Sequence, residues 1–140
     1  MALGSKKEGK DPLTPRGGRA LASRLEGQAR RFASEHESQT ARQFGGSVQR
    51  GSGSTERHKG DVKLRDFLVE NKTRLPDSKD AGSIRIKGDW LVKITGEARA
   101  VGKDPALDFQ IPGITDPLTE NRWVAVPASV FQAMLEAMGR

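Results

Sequence analysis

Apolar residues recur along this chain at two different spacings, which predict helices that alternate with strands. Helical spacing is found over residues 15–44, over residues 87–101 and over residues 128–138. The apolar stripes of these helices contain Leu21, Leu25, Phe32, Trp90, Leu91, Ile94, Ala98, Val130, Phe131, Met134 and Leu135. We expect the stripe of the last helix to face inward, against a core.

Between the helices, short runs bounded by Gly, Pro and Asp predict strands. These runs are residues 47–50, 61–64, 67–71, 106–111 and 122–127, with a shorter extended piece at 84–86. The order of elements predicts a mixed sheet flanked by helices, which is an α/β or α+β domain. With 140 residues, the chain is long enough for one such domain and short for two.

Positive charge is concentrated in the first part of the chain. Residues 1–60 hold 12 Lys and Arg against 6 Asp and Glu, whereas residues 61–140 hold 12 of each, so the first part carries the whole net charge of +6. Residues 1–13 predict a flexible basic arm, and residues 14–34 a helical extension with Thr14 as its N-cap. This polarity favours an anionic partner, most often nucleic acid, and a solubilising basic tail is the alternative.

The composition excludes several kinds of site. Without cysteine there is no disulfide, thiolate zinc site or cysteine nucleophile. His36 and His58 are separated by a helix end and a loop, which argues against zinc, and the glycines do not form a nucleotide-binding loop, so we expect no nucleotide cofactor. No apolar run matches a membrane span or a signal peptide, so we expect a cytoplasmic protein with no membrane partner.

The stretch "GDVKLRDFLVENK", residues 60–72, predicts a β-hairpin that carries charged side chains. If its strands are joined by a two-residue Arg-Asp turn, Asp61 lies opposite Glu70, and Lys72 shares their face because side chains alternate along a strand. Arg-Asp is not a favoured hairpin turn. A slip of one residue would place the two carboxylates on opposite faces.

In the first register, two carboxylates lie beside an apolar run, where each raises the pKa of the other unless a cation intervenes. Mg²⁺, for which Mn²⁺ can substitute, suits Asp61 and Glu70 as ligands, and Lys72 can then activate an attacking water. Solvated charges on a surface strand are the alternative explanation. Glu37 lies on a partly apolar helix face and can supply a third carboxylate, with Glu35 as its competitor.

A Gly/Ser loop, "GSGS", precedes the hairpin. Its small residues form either a flexible link or a place where a nucleic-acid backbone approaches main-chain amides and hydroxyls. The residues that we predict to bind DNA are Arg50, Gly51, Ser52, Gly53, Ser54, Arg57, Lys59, Arg30 and Arg31.

Taken together, these motifs resemble the archaeal-type Holliday-junction resolvases, a branch of the PD-(D/E)xK nuclease superfamily that also occurs in phages. The resemblance covers about residues 35–126, in the order of a helical Glu, "GSGS", "KGDV", "FLVENK" and the helix and strands that follow. Two positions depart from the pattern. Gly60 stands where the superfamily name has Pro, and Asn71 precedes Lys72 where many relatives have Val.

The resemblance implies an α/β nuclease domain over residues 35–140, with Asp61 and Glu70 as metal ligands and Lys72 as the catalytic lysine. The full catalytic set that it implies is Glu37, Ser52 (or Ser54), Asp61, Glu70 and Lys72, with Arg50 as the basic residue before the loop.

It also implies a homodimer that makes paired, Mg²⁺-dependent nicks in four-way DNA junctions. The last helix and the strand with Trp123 are the expected dimer surfaces if their apolar residues are exposed. Another structure-selective endonuclease of the superfamily is one alternative, and a non-catalytic basic DNA-binding protein is the other.

Overall fold

The computed structural model describes residues 16–49, 60–76 and 78–139. The elements within these ranges are α1 (Arg16–Phe44), β1 (Ser47–Val48), β2 (Val62–Lys63), β3 (Phe67–Thr73), α2 (Gly88–Ala100), β4 (Asp104–Gln110), β5 (Arg122–Ala125) and α3 (Ala128–Ala137). The predicted α/β architecture with a mixed sheet is therefore confirmed. The predicted arm, the N-cap Thr14 and the loop at residues 50–59 lie outside the described residues.

The strands form one sheet in the order β1-β2-β3-β4-β5. Neighbouring strands are antiparallel except for β3 and β4, which are parallel and are joined through α2. A parallel pair needs such a crossover, because the chain must return to the same end of the sheet. β3 is the central strand, which explains why its sequence begins with the apolar run Phe67, Leu68 and Val69.

The two faces of β3 pack against different helices. Val69 lies in a buried cluster with Ala41 of α1, together with Val62 and Ala106. Leu68, which points to the opposite face, packs with Ile94 and Ala98 of α2. The sheet is thus a middle layer between α1 and α2.

The hairpin adopts the register that the two-residue turn predicts. Val62 pairs with Val69 and Lys63 with Leu68, and the N–H of Leu64 donates to the carbonyl of Phe67 at 2.9 Å to close the turn. The alternative slip of one residue is therefore wrong. Alternation along β3 then fixes which of its polar side chains face α1 and which face α2.

The prediction that the stripe of α3 faces a core is wrong. No residue of α3 is buried, and Phe131 is 54% exposed. An apolar stripe indicates that a helix packs against another surface, but it does not specify which surface. The two faces of the central strand are already covered by α1 and α2. Trp123 of β5 is also exposed. Both α3 and β5 therefore expose apolar residues, which is the condition under which a dimer surface was expected there.

α1 is one continuous helix, and its stripe is only partly covered. Its buried residues are His36, Thr40 and Ala41, whereas Leu25 and Phe32 nearer its start are exposed. The end of the helix therefore holds it to the sheet. No helix in the described ranges combines the length and the apolar character that a membrane span needs.

Candidate active site

The predicted site residues that the structure describes lie around a step in the sheet. β2 begins at Val62, opposite Val69, whereas β3 continues to Thr73. Residues 70–73 therefore run past the start of β2 while they stay paired with β4. The step leaves room beside a buried strand for side chains from α1, β3 and α2.

Asp61 stands at this step on a distorted backbone. Its N–H donates to the carbonyl of Val69 at 2.8 Å, although the register partner of Val69 is Val62. Two residues thus face one, which is the arrangement of a β-bulge, and bulges redirect side chains. Asp61 Oδ2 accepts a hydrogen bond of 2.7 Å from the backbone N–H of Asn71. The carboxylate is therefore held against β3 just beyond Glu70.

Gly60 has a conformation that explains why Pro is absent here. Its φ is +72°, and a Cβ atom would lie 2.6 Å from Cγ of Leu68. Its N–H donates to Glu97 Oε2 of α2 at 2.8 Å. Proline has neither a positive φ nor an N–H, so glycine is the residue that this backbone requires.

Glu70 is buried and is paired with two lysines. Lys72 Nζ lies 2.7 Å from Glu70 Oε1, and Lys93 Nζ of α2 lies 3.3 Å from both carboxylate oxygens. The Lys72 ammonium also lies 4.7 Å from the centroid of the Trp90 ring, at cation–π distance. Trp90, which the sequence places on the apolar stripe of this helix, thus contacts the site lysine.

The remaining carboxylates repel one another. Burial raises the pKa of Asp61, and the charge of Glu70 raises it further, against the opposing effects of Asn71, Lys72 and Lys93. Burial also raises the pKa of Glu37, followed by the charge of Asp61 and, more weakly, that of Glu70. Glu37 is therefore close enough to both carboxylates to sense them. Glu35 is exposed, so the geometry favours Glu37 as the helical acidic residue.

The carboxylates of the site can bind a hard divalent ion only if other ligands complete its coordination shell. Within the described ranges, no three His, Asp or Glu side chains are grouped closely enough to hold an ion between them. Mg²⁺ commonly uses one or two carboxylates, with water and substrate phosphate as its other ligands. Asp61 and Glu70 are suitable for that role, because both are carboxylates that offer oxygen ligands, and burial, followed by the charge of Glu70, raises the pKa of Asp61.

The predicted DNA-binding residues are only partly described. Arg30 and Arg31 are exposed on α1. The other residues of that prediction, as well as His58, lie outside the described residues; they are Arg50, Gly51, Ser52, Gly53, Ser54, Arg57 and Lys59.

Behind the site lies a buried polar cluster that the sequence analysis missed. Its centre is Asp108 of β4, which is fully buried. Asp108 accepts hydrogen bonds from His36 Nε2 at 2.7 Å and Thr40 Oγ1 at 2.8 Å, both from α1. Arg122 of β5 donates to the same carboxylate through Nη2 at 2.5 Å and through Nε at 3.0 Å. The Asp108 side chain therefore connects β4 to α1 and to β5.

The ionisation of Asp108 reflects these partners. Burial alone would raise its pKa. The hydrogen bonds from His36, Arg122 and Thr40 outweigh burial and lower the pKa to about 2. Asp108 is therefore a carboxylate at neutral pH. The sequence signal that could have revealed it is an Asp between Leu107 and Phe109, because a carboxylate inside an apolar strand requires partners.

Asn71 connects this cluster to the site. Its backbone N–H binds Asp61, and its side-chain Nδ2 donates to Thr40 Oγ1 at 2.8 Å. The side chain faces α1 because Asn71 alternates with Glu70 and Lys72, which face α2. The polar side chain of Asn71 is thus explained by the polar partner that it meets on α1.

No family model, curated protein or solved structure matches this chain. Its function is therefore inferred from the geometry of the site and from the resemblance of its motifs.

Proposed function

We propose that this chain is a metal-dependent endonuclease that resolves four-way DNA junctions. The observation that carries the proposal is a group of charged side chains on α1, at Asp61 and on β3, around the step where β2 begins. These residues are Glu37, Asp61, Glu70 and Lys72. Burial, followed by neighbouring negative charge, raises the pKa of Asp61 and that of Glu37, and perturbed carboxylates at the edge of a core are typical of functional sites. The resemblance supplies the reaction class, phosphodiester hydrolysis.

In this proposal, Asp61 and Glu70 hold Mg²⁺, with Mn²⁺ as a substitute. The ion would stabilise negative charge on the scissile phosphate. Lys72 lies between Glu70 and the ring of Trp90, so its ammonium has a fixed position from which to orient the attacking water. By analogy with the superfamily, we expect 5′-phosphate and 3′-hydroxyl ends.

The proposed partner is branched double-stranded DNA, bound by a homodimer. The excess of Lys and Arg in residues 1–60 favours phosphate contacts, whose affinity falls steeply with salt and does not depend on base sequence. The exposed apolar residues of α3 and β5 offer a surface for the second copy. Two copies would present two sites to the symmetric strands of a junction.

The test is cleavage of a labelled four-way junction and of a linear duplex with matched sequence, with Mg²⁺, with Mn²⁺ and with chelator. We expect paired nicks on the junction alone. Asp61→Asn should abolish cleavage while junction binding persists, because the ligand charge is lost but the basic residues remain. Asparagine can still accept the Asn71 N–H bond and no longer repels Glu70, so this variant should be at least as stable to urea as the wild type.

Asp66→Asn is the matched control, since Asp66 is an exposed carboxylate in the turn of the same hairpin and should be dispensable. Full cleavage by Asp61→Asn would refute the assignment of the site. Equal rates on junction and linear duplex would instead indicate another endonuclease of the superfamily.

A non-catalytic DNA-binding protein is the second candidate. It is favoured by the ion pairs of Glu70 with Lys72 and Lys93, because carboxylates neutralised by lysines need no metal. This alternative predicts no binding of divalent ions and the same DNA affinity in wild type and Asp61→Asn.

A further inference from the structure

Lys93 of α2 belongs to the candidate site, although neither its spacing nor the motif resemblance indicated it. Its Nζ lies 3.3 Å from both oxygens of Glu70 and 4.0 Å from Oε1 of Glu97, one helical turn further on. Glu97 is held in turn by the N–H of Gly60. α2 therefore presents an ammonium directly to the proposed metal ligand.

This ammonium is the more accessible of two on the same carboxylate. Lys72 is closer to Glu70, at 2.7 Å, and its side chain is only 26% exposed, whereas that of Lys93 is 56% exposed. One side of the Lys93 ammonium therefore faces solvent, while the other side contacts Glu70.

We propose that Lys93 is a phosphate-binding residue that leaves Glu70 and donates to a phosphodiester oxygen when DNA enters the site. When Lys93 leaves, the buried Glu70 keeps its shorter ion pair with Lys72, whereas Lys93 gains a charge-assisted hydrogen bond to phosphate, which is strong in a site closed by DNA. The exchange therefore favours the DNA-bound state. This inference rests on the proposed endonuclease function and adds a residue that contacts the substrate.

The experiment compares Lys93→Gln and Lys93→Arg with Lys87→Gln. Lys87 precedes the same helix, its Nζ lies 5.8 Å from the centroid of the Trp90 ring, and it forms no ion pair with a described carboxylate. At junction concentrations below saturation and with Mg²⁺, Lys93→Gln should slow cleavage roughly ten- to hundredfold. Lys93→Arg should keep most of the rate, and Lys87→Gln should change it by less than about threefold.

Binding of Mn²⁺ to the DNA-free protein provides a readout that does not depend on cleavage. Lys93→Gln removes a positive charge next to Glu70, so it should bind Mn²⁺ several-fold more tightly, whereas Lys87→Gln should match the wild type. Slower cleavage with tighter Mn²⁺ binding would support the inference. If Lys93 had only a structural role, Lys93→Gln would slow cleavage and also weaken Mn²⁺ binding, and that result would overturn the inference. Cleavage by Lys93→Gln at the rate of Lys87→Gln would overturn it as well.

Junction affinity in chelator separates failure of this inference from failure of the proposed function. A wild type that binds the junction but never cleaves DNA would refute the endonuclease. Equal affinities of Lys93→Gln and Lys87→Gln for the junction would refute the phosphate contact, whether or not the protein cleaves.

Discussion

Replacing Asp108 by Asn should destabilise the fold by an amount that depends on pH. The pKa of Asp108 falls from an ordinary 3.8 to about 2 in the folded protein. At about 1.36 kcal/mol per pKa unit, that difference corresponds to about 2 kcal/mol of the free energy of unfolding. Because the folded-state pKa is lowered, this contribution is fully present above pH 3.8 and is lost as the pH falls through 2.

The assay is urea unfolding, followed by the fluorescence of Trp90 and Trp123, at pH 7, 5, 4 and 3. At pH 7, Asp108→Asn should be less stable than the wild type by at least about 2 kcal/mol, since it leaves the Arg122 guanidinium without its buried partner. The difference should shrink by about half at pH 3. Asp104→Asn, an exposed position on the same strand, should change stability by less than about 0.5 kcal/mol at every pH.

Two results would refute this reasoning about Asp108. One is a loss below about 1 kcal/mol at pH 7, which would mean that the hydrogen bonds of the cluster do not offset burial. The other is a loss of the same size at pH 7 and pH 3, which would mean that the effect comes from shape and not from charge.

Two further predictions concern the backbone and the surface. Gly60→Ala should lower the free energy of unfolding by about 1–3 kcal/mol, because alanine is strained at a φ of +72° and its Cβ would contact Leu68. Gly82→Ala, with open space around it, should be neutral in the same urea assay, and equal effects would contradict the reasoning. Phe131→Ser should convert a dimer into a monomer by light scattering, because this exposed side chain is proposed to be covered by the second copy. Val92→Ser, at an exposed apolar position on α2, is the control; a monomeric wild type or an unchanged mass would reject α3 as the interface.

The sequence predicted the hairpin and the register of its paired residues because those features are local. A two-residue turn fixes the register, and alternation then decides the face of every side chain in the two strands. The bulge at Asp61 was not predicted, since it depends on the conformation of Gly60 and on contacts with α2.

The polar cluster was missed because its members are far apart in the chain and share no period. His36 and Asp108 are separated by 72 positions, and each taken alone is an ordinary residue of a helix or a strand. Lys93 escaped notice for the same reason, since it meets Glu70 only after α2 has packed on the sheet. Long-range pairing of this kind follows from the fold and cannot be derived from spacing.

In the proposed complex with DNA, α1 would also act as a spacer of defined length. Arg24 and Glu37 are 13 positions apart in one unbroken helix, which is roughly 20 Å along its axis at 1.5 Å per residue. That distance corresponds to about six base pairs of duplex at 3.4 Å each. If the helix lies along one arm of a junction, a phosphate bound by Arg24 is at a set distance from the bond that is cut. The length of α1 would then determine the footprint of the protein on DNA, and adding or removing one helical turn would move the distant contact without touching the chemistry.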